Sequence, residues 1–358
     1  MKTNLGVIDL FSGCGGSSLG FKQAGFQIKV GVDIDETASR SFQINFPKAH
    51  VFTSDISVVS GKDLLSSGGF KNGNEVILIA CPPCQGFSSA RRNSERLADP
   101  RNNLIFEFLR IVEEIKPKAF VMENVPGLAT NIGKPIFDQI LKGLERLGYL
   151  TAHGIANTSD YGIPQRRKRL ILIGINNSKS VPTFPAKTNG NPETSENLMK
   201  WVTVKDAIGS LPKIKAGEKT QSDFMHTSAN LSETNLKRIK LTPHNGGSRS
   251  SWPDNLILDC HKKSKGHMDV YGRMSWDIPS PTITGGCVMI SKGRFGHPDQ
   301  NRAISLREAA RLQTFPDSFK FCGSFGEIAK QIGNAVPPLL AQKTATTLIE
   351  DMLKNERL

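Results

Sequence analysis

Short apolar runs that stop at glycine, proline or a carboxylate punctuate the first half of the chain. Val7-Ile8-Asp9-Leu10-Phe11, Ile28 to Val32, Val51-Phe52, Val76 to Ala80, Ala119 to Met122 and Leu170 to Gly174 are each too short for a helix. They are apolar enough for strands buried on both faces. Between them the apolar period changes. Leu19, Phe21 and Phe26 with Gly25 predict a helix ended by a glycine cap. Leu104, Ile105, Phe108, Ile111, Val112 and Ile115 recur at helical spacing, and Ile136 to Leu147 is an amphipathic helix closed by Gly148. Strands alternating with helices predict an α/β fold built on a doubly wound, mostly parallel sheet. Ser60 to Gly73 reads as a glycine-rich loop, and Asp99 to Asn103 as a turn.

The pattern lapses after Asn176. From there to Asp299 the chain is rich in Ser, Thr, Asn, Gly, Pro and Lys, with two shorter patterns at Leu236 to Leu241 and at Tyr271 to Trp276 followed by Pro281 to Gly286. The stretch is too long for one structureless loop in a compact domain, so it predicts a second, smaller, irregular domain. Regular structure returns at Ser305-Leu306-Arg307-Glu308, a capping box opening a helix through Leu312. Gln331 to Pro337 then precedes a helix from Pro338 to Leu353. The expected organisation is a first domain over 1–175, a second over 176–299, and a segment 300–358 returning to the first.

Composition narrows the class. The chain has 358 residues, 38% of them hydrophobic and 22% charged, an ordinary globular balance with no run long enough to span a bilayer. The first residues carry no signal-peptide pattern. Six cysteines in a chain this long do not make a disulfide scaffold, so a reducing, cytoplasmic setting is expected. A net charge of +13 and a pI near 9.5 argue for a polyanionic partner, most simply nucleic acid. The cations are spread along the chain, so the basic character belongs to the folded body.

Candidate chemistry sits at the strand ends, where open α/β sheets place their ligands. The first strand runs into Ser12-Gly13-Cys14-Gly15-Gly16, a glycine turn that brings backbone amides close to a cofactor. It fits neither Gly-x-Gly-x-x-Gly nor a P-loop. Asp33 ends the second strand, placed for ribose hydroxyls. Asp55, after the third, serves a ligand or simply caps a helix. The strand at Val76 to Ala80 enters Cys81-Pro82-Pro83-Cys84-Gln85, where Cys84 is a candidate nucleophile. Cys81 and Cys84 also have the spacing of a redox pair or half a zinc site. The two intervening prolines and the scattered remaining cysteines argue against both, and an inert buried thiol remains a third reading. Glu123, at the tip of another apolar strand, is an acid or anchor in one reading and a salt-bridged structural group in the other. In Gln165-Arg166-Arg167-Lys168-Arg169, strand alternation puts Arg167 and Arg169 on one face and Arg166 and Lys168 on the other.

These motifs, in this order, resemble the cytosine-5 DNA methyltransferase family over nearly the whole chain outside the variable middle. Asp9 to Gly16 looks like its S-adenosylmethionine loop, Pro83-Cys84-Gln85 its nucleophile motif, Glu123-Asn124-Val125 its target-base motif, and Gln165 to Arg169 its Gln-x-Arg-x-Arg motif. Arg307 to Gln313 and Gln331 to Pro337 resemble its last two blocks. The middle corresponds to its target-recognition domain, with Thr282-Ile283-Thr284 resembling a short motif there. The resemblance implies the Rossmann-like fold of S-adenosylmethionine-dependent methyltransferases. It implies a cofactor held by Phe11, Gly13, Cys14, Gly15, Asp33, Ile34, Asp55, Ile56, Pro83, Leu104, Asn334 and Val336, leaving S-adenosylhomocysteine as product. Ile34 departs from the aromatic common beside the ribose aspartate. Cys84, Glu123, Arg167 and Arg169 would carry catalysis, and Gln85, Ser88, Arg91, Arg92, Thr282 and Thr284 would touch DNA. The loop from Phe87 to Asn103, which also carries Arg96, would close over the duplex.

The implied reaction is methyl transfer to carbon 5 of a flipped-out cytosine in double-stranded DNA, through a covalent Cys84 adduct and without a metal. The implied setting is a bacterial restriction–modification system, with a monomeric, nucleoid-associated enzyme and a cognate endonuclease encoded elsewhere. Two alternatives stand beside it. Relatives that methylate tRNA share the motifs, yet usually carry a short middle region with Cys-Phe-Thr, which this chain lacks. A catalytically silent DNA-binding module would be expected to have lost Cys84, Glu123 or the arginines. A nicotinamide oxidoreductase fits worse, since the third glycine and a candidate acid–base tyrosine or histidine are missing.

Overall fold

A computed structural model of the chain describes residues 5–83, 103–130, 133–191, 193–262 and 269–357. The chain divides into two compact units. Met1–Asn157, Lys168–Ala186 and Ala335–Leu358 form the first; Thr158–Arg167 and Lys187–Asn334 form the second.

The first unit is built on strands β1 (Gly6–Leu10), β2 (Gln27–Asp33), β3 (His50–Thr53), β4 (Val76–Ala80), β5 (Ala119–Asn124), β6 (Tyr149–Asn157) and β7 (Lys168–Asn176). They make one seven-stranded sheet in the order β3-β2-β1-β4-β5-β7-β6. β1 to β5 pair in parallel, and β7 runs antiparallel between β5 and β6. The sheet is the mostly parallel, Rossmann-like one expected. β1 and β4 are buried at every position, which is why both read as unbroken apolar runs. Strand order reverses between these two, so the crevice beyond their carboxyl ends is the topological switch point of the sheet. Helices α1 (Gly16–Gln23), α2 (Glu36–Asn45), α3 (Gly61–Gly68), α4 (Leu104–Ile115) and α5 (Lys134–Arg146) follow the strands in turn. The core joins Leu10, Val32, Leu78, Phe108, Phe120, Met122 and Leu172 across strands and helices.

Three elements depart from the sequence reading. The expected loop at Ser60 to Gly73 contains α3: the Ser60 side chain caps it by accepting from Asp63 N, and Gly69, at φ 69°, ends it. Glycine count hid a helix that carries its own start and stop signals. α2 escaped notice although Asp35 caps it, accepting from Thr37 and Ala38 N. β6 is an edge strand whose Leu150 and Ile155 are 38% and 48% exposed, so no apolar run announces it.

The second unit has little regular structure: β8 (Asn189–Gly190), β9 (Met199–Lys200), α6 (Val204–Ile208), α7 (Glu233–Leu241), α8 (Asp259–Lys262), α9 (Leu306–Leu312) and α10 (Phe325–Asn334). The capping box at α9 is present, Ser305 bonding Glu308 N while the Glu308 carboxylate bonds Ser305 N. Gln331 to Asn334 forms the end of α10, and the next helix opens at Pro338 as expected. That helix, α11 (Pro338–Arg357), belongs to the first unit. There it packs so closely on α1 that a Cβ at Gly20 would strike the Pro338 carbonyl.

Candidate active site

The turn after β1 is bent by its own backbone. Phe11 has φ 58°, rare for a residue carrying a Cβ, and Gly13 and Gly15 have φ 52° and 95°. Ser12 N donates to Val32 O (2.9 Å) and Gly15 N to Ser12 O (2.9 Å), closing the turn over the ends of β1 and β2. The Asp33 carboxylate braces it, accepting from Gly13 N through Oδ2 (2.7 Å) and from Asp35 N through Oδ1 (2.8 Å). A Cβ built at Gly13 would meet nothing within 4 Å, so the turn faces open space at that point.

The other expected cofactor residues divide. The Cys14 thiol is 2% exposed, and burial pushes its pKa up to about 12. Only its backbone can face a ligand. Ile34 is 70% exposed next to Asp33, whereas Ile56 is a core residue. Asp55 caps a short 3-10 turn; the Ser57 N–H bond (2.9 Å) holds its carboxyl below the usual range. Leu104 opens α4 and packs on the core. Val336 lines a small cavity in the first unit, while Asn334 is the exposed last residue of α10 in the second.

Beyond β4, three contacts pin the segment that leads to the expected nucleophile. Cys81 N donates to Leu10 O (3.2 Å), Cys81 Sγ lies 3.4 Å from Ser17 Oγ, and Asn124 Nδ2 donates to Pro82 O (3.2 Å). Asn124 Oδ1 in turn accepts from Val125 N (2.7 Å), fixing the amide. Pro83 is the last described residue there. Cys84, Gln85, Ser88, Arg91, Arg92 and Arg96 lie outside the described residues. Glu123, one residue before Asn124, stands 2.7 Å from Arg169 Nε, and both side chains are 14% exposed. Ser17, Cys81, Val121, Glu123, Ile171 and Val336 line an apolar cavity behind this pair. Asp9 sits under the same crevice, fully buried, with Ser18 Oγ donating to its Oδ2 at 2.6 Å. Burial pushes its pKa up to about 8.

Alternation along Gln165 to Arg169 appears as expected: Arg166 and Lys168 are exposed, while Arg167 is buried and Arg169 largely so. The two inward arginines nevertheless have different partners. Arg169 meets Glu123. Arg167, in the second unit, donates through Nη1 to Ile283 O (2.8 Å) and Gly333 O (3.1 Å). Gln165 Oε1 accepts from Ile283 N (2.8 Å), and its Nε2 donates to Gln313 Oε1 (2.7 Å). Gln165 and Arg167 thus hold both backbone groups of Ile283 and so fix Thr282 and Thr284 on either side. Thr282 Oγ1 donates to Arg166 O (2.8 Å); Thr284 is exposed.

Residues 5–350 match the family model of C-5 cytosine-specific DNA methylases. The chain belongs to that family. It is 39% identical over 350 residues to the type II methylase M.HgiDII of Herpetosiphon aurantiacus, covering 96% of this chain and 94% of that one. It is 38% identical over 348 residues to the type II methyltransferase M1.HphI of Haemophilus parahaemolyticus, covering 97% and 87%. Among solved structures, a DNA modification methyltransferase encoded within an E. coli prophage superposes with a TM-score of 0.75 at 26% identity, covering 98% of this chain and 99% of that one. The chain is therefore an enzyme, a DNA (cytosine-5-)-methyltransferase. In this methylase, sequence reasoning missed the positioning roles of Asn124, Ser17, Ser18 and Gln165. Asn124 and Gln165 stood inside the quoted motifs, and the signal was there: a polar residue beside an apolar strand end must find a bonding partner when buried.

Proposed function

We propose that the enzyme modifies a specific duplex DNA site as the methyltransferase of a type II restriction–modification system, with S-adenosylmethionine as methyl donor. The names of its relatives support the setting, with a cognate endonuclease encoded elsewhere. The observation that carries the chemistry is the Glu123–Arg169 ion pair (2.7 Å) on strand ends next to the pinned Cys81-Pro82-Pro83 segment. The open, left-handed turn at Phe11 to Gly15, with Asp33 bonded behind it, fits a nucleoside-bearing sulfonium: backbone approaches from one side and a carboxylate from the other. When bound, that cofactor supplies an electrophilic methyl group.

The chain's own residues would do the rest. A cytosine flipped out of the stack costs a few kcal/mol to extrude and enters beside Glu123. The Cys84 thiolate adds to carbon 6, and Glu123 offsets the charge by holding the exocyclic amino group and protonating ring nitrogen 3. Arg169 orients the Glu123 carboxylate and, as a fixed cation, favours the thiolate. Carbon 5 then takes the methyl group, and its S–C bonding pair stays with the departing sulfur. Loss of the carbon 5 proton to a base expels Cys84 as the thiolate, the ring nitrogen 3 proton returns to Glu123, and the aromatic ring is restored. Arg167 and Gln165 act at a distance, holding Thr282 and Thr284 where the second unit would meet DNA.

The test is transfer of label from S-adenosylmethionine to duplex DNA and to tRNA in parallel, with Cys84→Ala as control. Label on DNA that is lost in Cys84→Ala is the expected result, and mapping the labelled cytosines gives the target site. Label on tRNA alone would overturn the substrate. Undiminished transfer by Cys84→Ala would overturn the covalent step.

A further inference from the structure

Past the end of β3 the chain leaves the sheet, and α4 takes over part of its backbone bonding. Arg110 Nη2 donates to Ile56 O (2.9 Å) and to Val59 O (3.1 Å). Glutamates on the same helix hold the guanidinium: Nε donates to Glu107 Oε2 and Nη1 to Glu114 Oε1, both at 2.7 Å. The second oxygen of Glu114 accepts from Gly61 N at 2.6 Å. A Cβ at Gly61 would lie 2.7 Å from Glu114 Cβ, so this approach requires a glycine. Three backbone groups between residues 56 and 61 are thereby tied to α4. The Arg110 and Glu114 side chains are 31% and 36% exposed, and an ion pair that wet contributes little stability by itself. Its effect is geometric, fixing the path of the turn that Asp55 opens. Sheet order gives that turn a place in the site. β4 and β1 carry the reacting end, and Asp33, at the end of β2, stands where ribose hydroxyls would bond. A nucleoside continuing in the same direction lays its base beyond β3, against Asp55 and Ile56. Leu104, another expected cofactor residue, opens the same α4.

We propose that Arg110, braced by Glu107 and Glu114, positions the Asp55–Val59 turn to receive the base of the cofactor's nucleoside. The inference rests on the reading of S-adenosylmethionine as methyl donor, and its measurement separates the two ideas. Without the bonds to Ile56 O and Val59 O the turn samples other paths. The cofactor then binds only the fraction of molecules with the turn in place, and its affinity falls by that fraction. The reacting end lies at other strand ends, so a saturated variant should still turn over. Binding of S-adenosylhomocysteine would be measured by calorimetry for wild type, Arg110→Gln and Arg110→Lys. Arg110→Gln is expected to bind about tenfold more weakly. Arg110→Lys keeps the charge without the planar fork and should bind about threefold more weakly. In label transfer to DNA, KM for S-adenosylmethionine should rise by the same factors while kcat stays within about twofold. Hydrogen exchange should quicken in residues 55–61 of ligand-free Arg110→Gln, return to the wild-type rate with saturating S-adenosylhomocysteine, and stay unchanged in β4. Wild-type affinity in Arg110→Gln, or a loss of kcat that saturating cofactor does not restore, would overturn the role of Arg110 while leaving the cofactor reading intact. Wild-type protein that binds neither S-adenosylhomocysteine nor S-adenosylmethionine would overturn both.

Discussion

In the first unit, backbone polar groups are paired strand to strand, and Leu78, Phe108, Phe120 and Leu172 fill the space between sheet and helices. In the second, the strands β8 and β9 are two residues long, and the long irregular stretches must satisfy buried carbonyls in another way. Arginine does it. Among the described residues, Arg167, Arg249, Arg273, Arg302 and Arg307 of that unit are each no more than 5% exposed. Arg273 donates to Thr242 O (3.0 Å), His297 O (2.9 Å), Gln300 O (2.6 Å), Ile239 O (2.7 Å) and the Asn301 side chain. Arg302 forms a two-pronged pair with Glu308, both bonds 2.7 Å, and also bonds Ile214 O (3.1 Å). The difference changes how a net charge of +13 is read. Much of the cationic surplus in the irregular unit is internal scaffolding, unable to reach a phosphate. The charge of that unit that stays accessible lies on its exposed cations, Arg166 among them.

The largest effect expected from this contrast is at Arg273. Lysine there keeps the charge but lacks the planar fork that spans several acceptors at once. Each buried carbonyl left without a donor costs about 1–3 kcal/mol, so Arg273→Lys should destabilise the second unit by roughly 3–6 kcal/mol. Hydrogen exchange read peptide by peptide should show protection lost across residues 239–245 and 297–301, with residues 76–80 unchanged. Equal loosening of β4 would erase the distinction between the two kinds of scaffold. The counterpart is Leu78→Ala. Leu78 is fully buried on β4, and its truncation should cost about 2–5 kcal/mol, with increased exchange in β1 and β5 and none around Arg273.

The units also answer pH with opposite signs. Asp9 keeps its proton to about pH 8 in the folded state and loses it near the ordinary value of 3.8 when unfolded, because burial disfavours the carboxylate. Between those values the native state holds more protons, so the first unit loses stability as pH rises and levels off above about 8. His297 is held down to about 4 from 6.5, chiefly by burial. Here the unfolded state holds more protons between pH 4 and 6.5, so the second unit loses stability as pH falls through that window. The three tryptophans, Trp201, Trp252 and Trp276, all lie in the second unit, so their fluorescence reports its unfolding alone. Urea midpoints from fluorescence should drop below pH 6.5. Exchange in the sheet peptides, corrected for intrinsic rate, should instead rise toward pH 8, and Asp9→Asn should flatten that rise. Parallel profiles would mean that neither group controls its unit.

Legibility in the sequence followed the same divide. β1, β2, β4, β5 and α4 were readable because burial on both faces, or on one helical stripe, leaves a run or a period. β6 was not, because an edge strand with exposed Leu150 and Ile155 leaves neither. At the candidate site, the glycine turn, Asp33 and Glu123 could be named from residue type at a strand end. What no local pattern contains is the partner. That Arg169 meets Glu123, Asn124 bonds Pro82 O and Arg167 bonds Ile283 O depends on pairings 46, 42 and 116 residues apart. The second unit was legible only as an absence of period, since an arginine that staples carbonyls and one that grips phosphate look alike in a sequence.

The smallest effect tests whether short-range signals keep their ordinary worth inside an irregular unit. Ser305 and Ser232 both cap helices of the second unit, accepting from Glu308 N (3.1 Å) and Asn235 N (3.3 Å). Loss of such a cap usually costs about 0.5–2 kcal/mol. The Ser232 side chain has no other partner among the described residues and is exposed, so Ser232→Ala should fall at the low end of that range. Ser305 is fully buried, and its Oγ also lies 2.9 Å from His226 Nδ1. Ser305→Ala therefore strands a buried imidazole nitrogen as well as an amide, and should cost about 1–2 kcal/mol more than Ser232→Ala. Both are read from the tryptophan urea midpoint. Equal costs would mean that the His226 contact contributes nothing. A gap of that size would mean that the caps, like the arginines, stabilise this unit mainly by satisfying groups that no sheet is there to pair.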